Sequence, residues 1–157
     1  MTWRGSTTVP DRIFASLPYL LPLIDGHAFG EKFLFKQFPV LKLFFVPLAP
    51  LLQIYSLPLA SLIIFFALYL GVVRNENISH FIRFNAMQAI LLAIVLMLCD
   101  LVLGIFEGPQ VGFIAETLYN MVFLGAFAAF VYAVVQSLLG RYAEIPPLSD
   151  AVYMQVR

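Results

Sequence analysis

One cysteine, two histidines and few charges limit what this 157-residue chain can be. The lone Cys99 excludes an internal disulfide. His27, His80 and Cys99 stand in different segments, so they form no cluster with metal-ligand spacing. Equally missing are a glycine-rich phosphate loop, a nucleophile elbow and paired carboxylates in mid-membrane. Neither an enzyme nor a cofactor is expected. Charged residues make up 11% of the chain, against about 25% in soluble domains, so a soluble core does not explain it. Nine basic and nine acidic residues cancel, which argues against a nucleic-acid partner. There is no internal repeat and no low-complexity tract. A targeting segment is also missing: Ile13–Ile24 has the length of a signal-peptide core, but Pro18 and Pro22 interrupt it. Asp25-Gly26-His27 follows in place of a cleavage site, so the chain reads as mature from Met1.

What is present is apolar. Hydrophobic residues are 62% of the chain, 16 of them Phe and seven Tyr, and the mean hydropathy is +0.93. The sequence predicts an all-α integral membrane protein with four transmembrane helices plus a short N-terminal interfacial or re-entrant helix. A single membrane domain covers 1–157. The spans fall at about 38–54, 57–73, 84–106 and 117–139, since a helix of roughly 20 residues crosses a hydrocarbon layer of about 30 Å. The interfacial segment covers 11–37 and a polar tail covers 140–157. In this arrangement Arg4, Arg12, Lys32, Lys36, Lys42, Arg74, Arg83 and Arg141 share one side, and the base-free turns face the other. The positive-inside tendency prefers that, with both termini inside. Pro47 and Pro50 predict a kink or break in the first span, and the alternative is that Phe38–Ile54 inserts only half-way while Ile13–Ile24 crosses. Ser56-Leu57-Pro58 reads as a tight turn, Gly108-Pro109-Gln110 as a helix break, and Pro146-Pro147 as the end of helical order.

Few residues stand out as candidate sites. Arg83, Asn85 and Gln88 form a polar head on the third span. Asn85 and Gln88, three apart, share one helix face. Amides there are costly against lipid, so this face should meet protein or water, as a polar path, a partner contact or a set of interhelical bonds within the bundle. Gly125, Ala126, Ala129 and Ala133, with Gly140, fall within about a 100° arc of the fourth span, a helix-packing stripe. Lys32 and Lys36 suit an interfacial helix touching anionic headgroups. Asp100 reads as an interfacial carboxylate at the outer end. No charge is expected in mid-membrane, which counts against a small transporter.

One stretch is more specific. Ile78-Ser79-His80-Phe81-Ile82-Arg83-Phe84-Asn85-Ala86-Met87-Gln88-Ala89-Ile90 resembles the signature of the twenty-kilodalton membrane subunit family of the chloroplast inner-envelope protein translocon (the Tic complex). Leu17–Gly26, Gly71–Asn75 and Gly140–Pro146 match as well, so the resemblance covers nearly the whole chain and suggests a cyanobacterial or plastid-encoded relative. It implies a four-helix membrane protein with both termini on the stromal or cytoplasmic side, in the plastid inner envelope or a cyanobacterial cell membrane. It further implies a role in precursor import, contributing to the conducting path. Other translocon membrane subunits and precursor proteins would be its partners, besides the lipid bilayer and a homo-oligomer. Only Arg83, Asn85, Met87 and Gln88 match a family motif, and none carries a catalytic role. The alternatives are a small channel or transporter and an assembly or structural subunit of another membrane complex.

Overall fold

A computed structural model describes residues 6–109, 112–146 and 148–157; Arg4, Gln110 and Pro147, which entered the charge and turn readings, lie outside them. The described residues are helical, without strands. Two helices are long and apolar enough to cross a membrane, and a bent helix pair adds a third candidate.

The long helices correspond to the third and fourth predicted spans. The helix starting at His80 begins a turn earlier than its apolar run because Ser79 caps it, accepting from the Ile82 N–H. In chain order the α-helices are α1 (Val9–Ser16), α2 (Leu20–Lys32), α3 (Leu34–Gln37), α4 (Ala49–Tyr55), α5 (Ala60–Leu68), α6 (His80–Leu103), α7 (Gly112–Leu138) and α8 (Leu148–Gln155).

The N-terminal segment docks along the long helices of the bundle. A 3-10 turn, Leu17–Tyr19, joins α1 to α2, giving one helical path of about 36 Å at 1.5 Å per residue. Its contacts run antiparallel to α7. The Arg12 guanidinium lies beside Gly140, Gly26 meets Ala126 half-way along α7, and Phe29 and Phe33 pack on Tyr119. At the far end Lys32 Nζ binds Glu107 Oε1 at 2.8 Å. The most extensive helix–helix contact in the molecule is that of α2 with α7. Pro22, Leu23, Ile24, Gly26, Phe29 and Gly30 are buried by this docking. Small residues permit it: a Cβ on Gly26 would sit 3.0 Å from the Ala126 methyl, and one on Gly30 would sit 2.5 Å from the Phe35 ring. The physical reason is tertiary. Pro18 is absorbed by the first turn of the 3-10 segment, and two helices provide cover that a sequence window does not contain.

The first two predicted spans also take another form. Pro39–Leu48 is a 3-10 helix, which runs into α4, and α5 continues as a π-helical turn at Tyr69–Val73. The two halves, Pro39–Tyr55 and Ala60–Val73, meet at 99°. The break falls where Ser56-Leu57-Pro58 predicts a turn, and Leu59 holds it with φ 64°. That left-handed conformation costs a leucine roughly 1–2 kcal/mol. Neither α4 nor α5 contains a fully buried residue, and Leu52, Phe65 and Leu68 are only partly buried against the core.

The tail brings a second difference. After Gly140, at φ +74°, the chain forms one more helix, α8. Val152 and Val156, four apart on one face, pack against Val73, Phe84, Met87 and Ile90. The polar composition of 140–157 hides this short amphipathic stripe.

Candidate functional site

The predicted polar head becomes a buried knot at the end of the bundle where α6 begins and α7 ends. Asn85 and Gln88 are 0% exposed. The Tyr19 hydroxyl donates to Asn85 Oδ1 at 2.7 Å and accepts from Gln88 Nε2 at 2.8 Å. Ser137 Oγ donates to the same Asn85 oxygen at 3.1 Å, and Asn85 Nδ2 donates to the Phe81 carbonyl at 2.8 Å. Gln88 Nε2 also donates to the Ala143 carbonyl. Its oxygen accepts from the Ile145 N–H at 3.3 Å. Four segments distant in sequence are thereby tied together: the N-terminal helical path, α6, α7 and the strap after Gly140. Every polar atom of the two amides finds a partner inside the chain, as burial in a low-dielectric medium requires.

Arg83 performs a related task one turn away. Its Nε donates to the Val73 carbonyl at 2.9 Å and an Nη donates to the Arg157 carbonyl at 3.0 Å. It thus ties the end of Ala60–Val73 to the tail beyond α8. Around it His80 Nδ1 lies 2.9 Å from the Tyr142 hydroxyl, and the Tyr153 hydroxyl donates to Glu144 at 2.6 Å.

The small-residue stripe is divided. Ala133 is fully buried beside Tyr19, Ala89 and Ala143, and Ala126 touches Gly26. Gly125 and Ala129, with Ala126 at the edge, line an apolar pocket of about 200 Å³ between α6 and α7, floored by Pro22. A Cβ on Gly125 would meet nothing within 4 Å. One face of the stripe therefore packs closely and the other stays open.

At the opposite end of the bundle, Lys32 and the Tyr119 hydroxyl both bind Glu107. These bonds, the Lys32 one foremost, hold the Glu107 carboxyl below its ordinary range. Gln37 donates to Glu116 nearby. Lys32 thus reaches the base-free end, away from Arg74 and Arg83. Asp100 is exposed toward that same end.

One residue was missed by the sequence reading. Asp25 is half-buried next to Gly26, half-way along α7, and makes no hydrogen bond or ion pair among the described residues. The signal was present, a carboxylate inside an apolar run, but nothing local shows that it is half-buried. Among the described residues no three His, Cys, Asp or Glu side chains converge as for a metal ion.

Known proteins put this architecture in context. Residues 7–152 match the family described as chloroplast import apparatus Tic20-like. The chain is 56% identical over 150 residues to a Tic20 family protein of Synechocystis sp., covering 94% of this chain and 93% of that one. It is 41% identical to protein TIC 20-II, chloroplastic, of Arabidopsis thaliana, over 99% of this chain and 78% of that protein. Protein TIC 20-v, chloroplastic, of the same plant is 34% identical over 96% of this chain and 73% of its own length.

Proposed function

From the premise that the chain belongs to the Tic20-like family of the chloroplast import apparatus, we propose that it is a membrane subunit of a protein-import complex and acts through helix contacts with other subunits. The observation that carries this reading is the family match over 7–152 on a chain with two long apolar helices. The work of such a subunit is mechanical: it presents surfaces to partners and to a moving polypeptide.

The internal contacts support four membrane crossings, apportioned differently from the hydropathy reading. Val9–Lys32 runs from the Gly140 end to the Glu107 end and serves as the first. Pro39–Val73 returns as one broken crossing. It starts next to Gln37, which binds Glu116, and ends at Val73, which binds Arg83. The helices α6 and α7 supply the third and fourth. Both termini then share the side of Arg74 and Arg83, the stromal or cytoplasmic side, while Lys32, Lys36 and Lys42 lie toward the other. Broken, proline-bearing backbone at membrane depth needs protein cover. The unburied faces of α4 and α5 are therefore where neighbouring subunits contribute most, and a conducting path would run along them.

The test replaces the native copy by a tagged one and arrests a precursor during import. Membranes are then solubilised in a gentle detergent. Recovery of the precursor with other translocation subunits supports the reading. Recovery of only stable subunits of an unrelated membrane complex overturns it.

A further inference from the structure

An apolar groove of about 480 Å³ runs between the N-terminal helical path and the second half of the broken segment. Phe14, Leu17 and Leu21 form one wall, and Ile64, Leu68 and Val72 the other. Asp25 lies one helical turn beyond Leu21 on the same face of α2. Tyr55, next to the break at Ser56–Leu59, is within electrostatic reach of Asp25. The groove therefore starts at the Arg74 end of the bundle, and Asp25 lies one helical turn beyond its Leu21 end.

That carboxyl has no counter-ion within ion-pair distance among the described residues. Arg12 is bonded to Thr7, Lys32 to Glu107 and Arg83 to backbone carbonyls. His27 faces the Phe35 and Phe45 rings. An ionisable group at membrane depth is costly without a partner and marks a functional site. A lipid tail in the groove would leave Asp25 unpaired. The charge of a lipid headgroup stays at the surface, about 15 Å from the mid-plane of a layer some 30 Å thick. The complementary occupant combines an apolar body with a cation part-way along it.

We propose that this groove receives an apolar polypeptide segment whose basic side chain pairs with the Asp25 carboxylate. The choice of a polypeptide rests on the import reading; the apolar walls and the unpaired acid do not.

The experiment uses the full chain in lipid nanodiscs, with a photoreactive amino acid in place of Leu21. Two synthetic apolar peptides of about 20 residues are offered, one with a central Arg and one with Gln there. The Arg peptide is expected to be labelled at least about tenfold more strongly, equivalent to roughly 1.4 kcal/mol. Asp25→Asn should reduce its labelling to the Gln level, and Asp25→Glu should retain the preference. Equal labelling of the two peptides, indifference to Asp25→Asn, or adducts to lipid alone would overturn the proposal. The peptide preference is read on the chain with Asp25 intact, so a poorly folding variant does not obscure the result. No import complex is present in the discs, so failure here leaves the precursor-recovery test standing, and the converse holds.

Discussion

Replacing Gln88 by Leu tests whether the buried amide knot holds the bundle together. Leucine fills similar space, so the loss is one of bonding. Gln88 makes three hydrogen bonds, to Tyr19, Ala143 and Ile145. Side-chain bonds inside membrane proteins average about 0.6 kcal/mol each. The substitution also strands a buried backbone carbonyl and weakens the satisfaction of a backbone N–H, at about 1 kcal/mol or more for each such group. The expected loss is about 4 kcal/mol, or roughly a thousandfold in the unfolding constant. Tyr19→Phe should cost only about 1 kcal/mol. Asn85 keeps its bond from Ser137 and Gln88 keeps Ala143. The assay is reversible unfolding of the reconstituted chain by SDS titration in mixed micelles, followed by helical circular dichroism. The double variant should lose less than the sum of the two, since the residues share a bond. A Gln88→Leu change of under about 0.5 kcal/mol would refute the reasoning. So would Tyr19→Phe costing more than Gln88→Leu.

Other predictions separate close packing from open surface. Gly30→Ala should destabilise the bundle by about 1–3 kcal/mol, because the new methyl meets the Phe35 and Phe123 rings. Gly125→Ala should stay within about 0.5 kcal/mol, since nothing occupies that space; the same SDS titration reads both. Gly140→Ala combines a positive φ with a methyl 2.5 Å from Thr7 Oγ1, so limited proteolysis should release the N-terminal segment sooner. Glu107 has a folded pKa below its ordinary 4.5, chiefly through Lys32. Its contact therefore stabilises above the ordinary value and is lost as pH falls through the lowered one. The difference between parent and Lys32→Met should accordingly be present at neutral pH and fade in acid.

The sequence made the long apolar elements legible and left their partners hidden. Phe84–Phe106 announces α6 by length alone, and Pro47, Pro50 and Ser56-Leu57-Pro58 mark where the broken segment departs from a straight helix. The amides of Asn85 and Gln88 demand partners, but nothing local says that one of them is Tyr19, more than sixty residues away. The N-terminal path was the least legible. Its prolines and the Asp25-Gly26-His27 triplet look unsuited to a closely packed helix until Ala126 and Phe123 are found against Gly26 and Gly30. Charge counting grouped Lys32 with the other bases, whereas its partner Glu107 lies 75 residues further along the chain. Val152 and Val156 show the same gap at the other terminus, where a short stripe acquires meaning only against α6.

Central to the proposed topology is that Val9–Lys32 crosses the membrane beside α6 and α7. Single cysteines at Lys36 and Glu76, introduced as Lys36→Cys and Glu76→Cys in a Cys99→Ala background, would be probed in sealed oriented vesicles with a membrane-impermeant maleimide. The prediction is labelling from opposite sides, with Glu76→Cys on the side of the termini. Labelling of both positions from the same side would contradict it and return the N-terminal segment to the membrane surface.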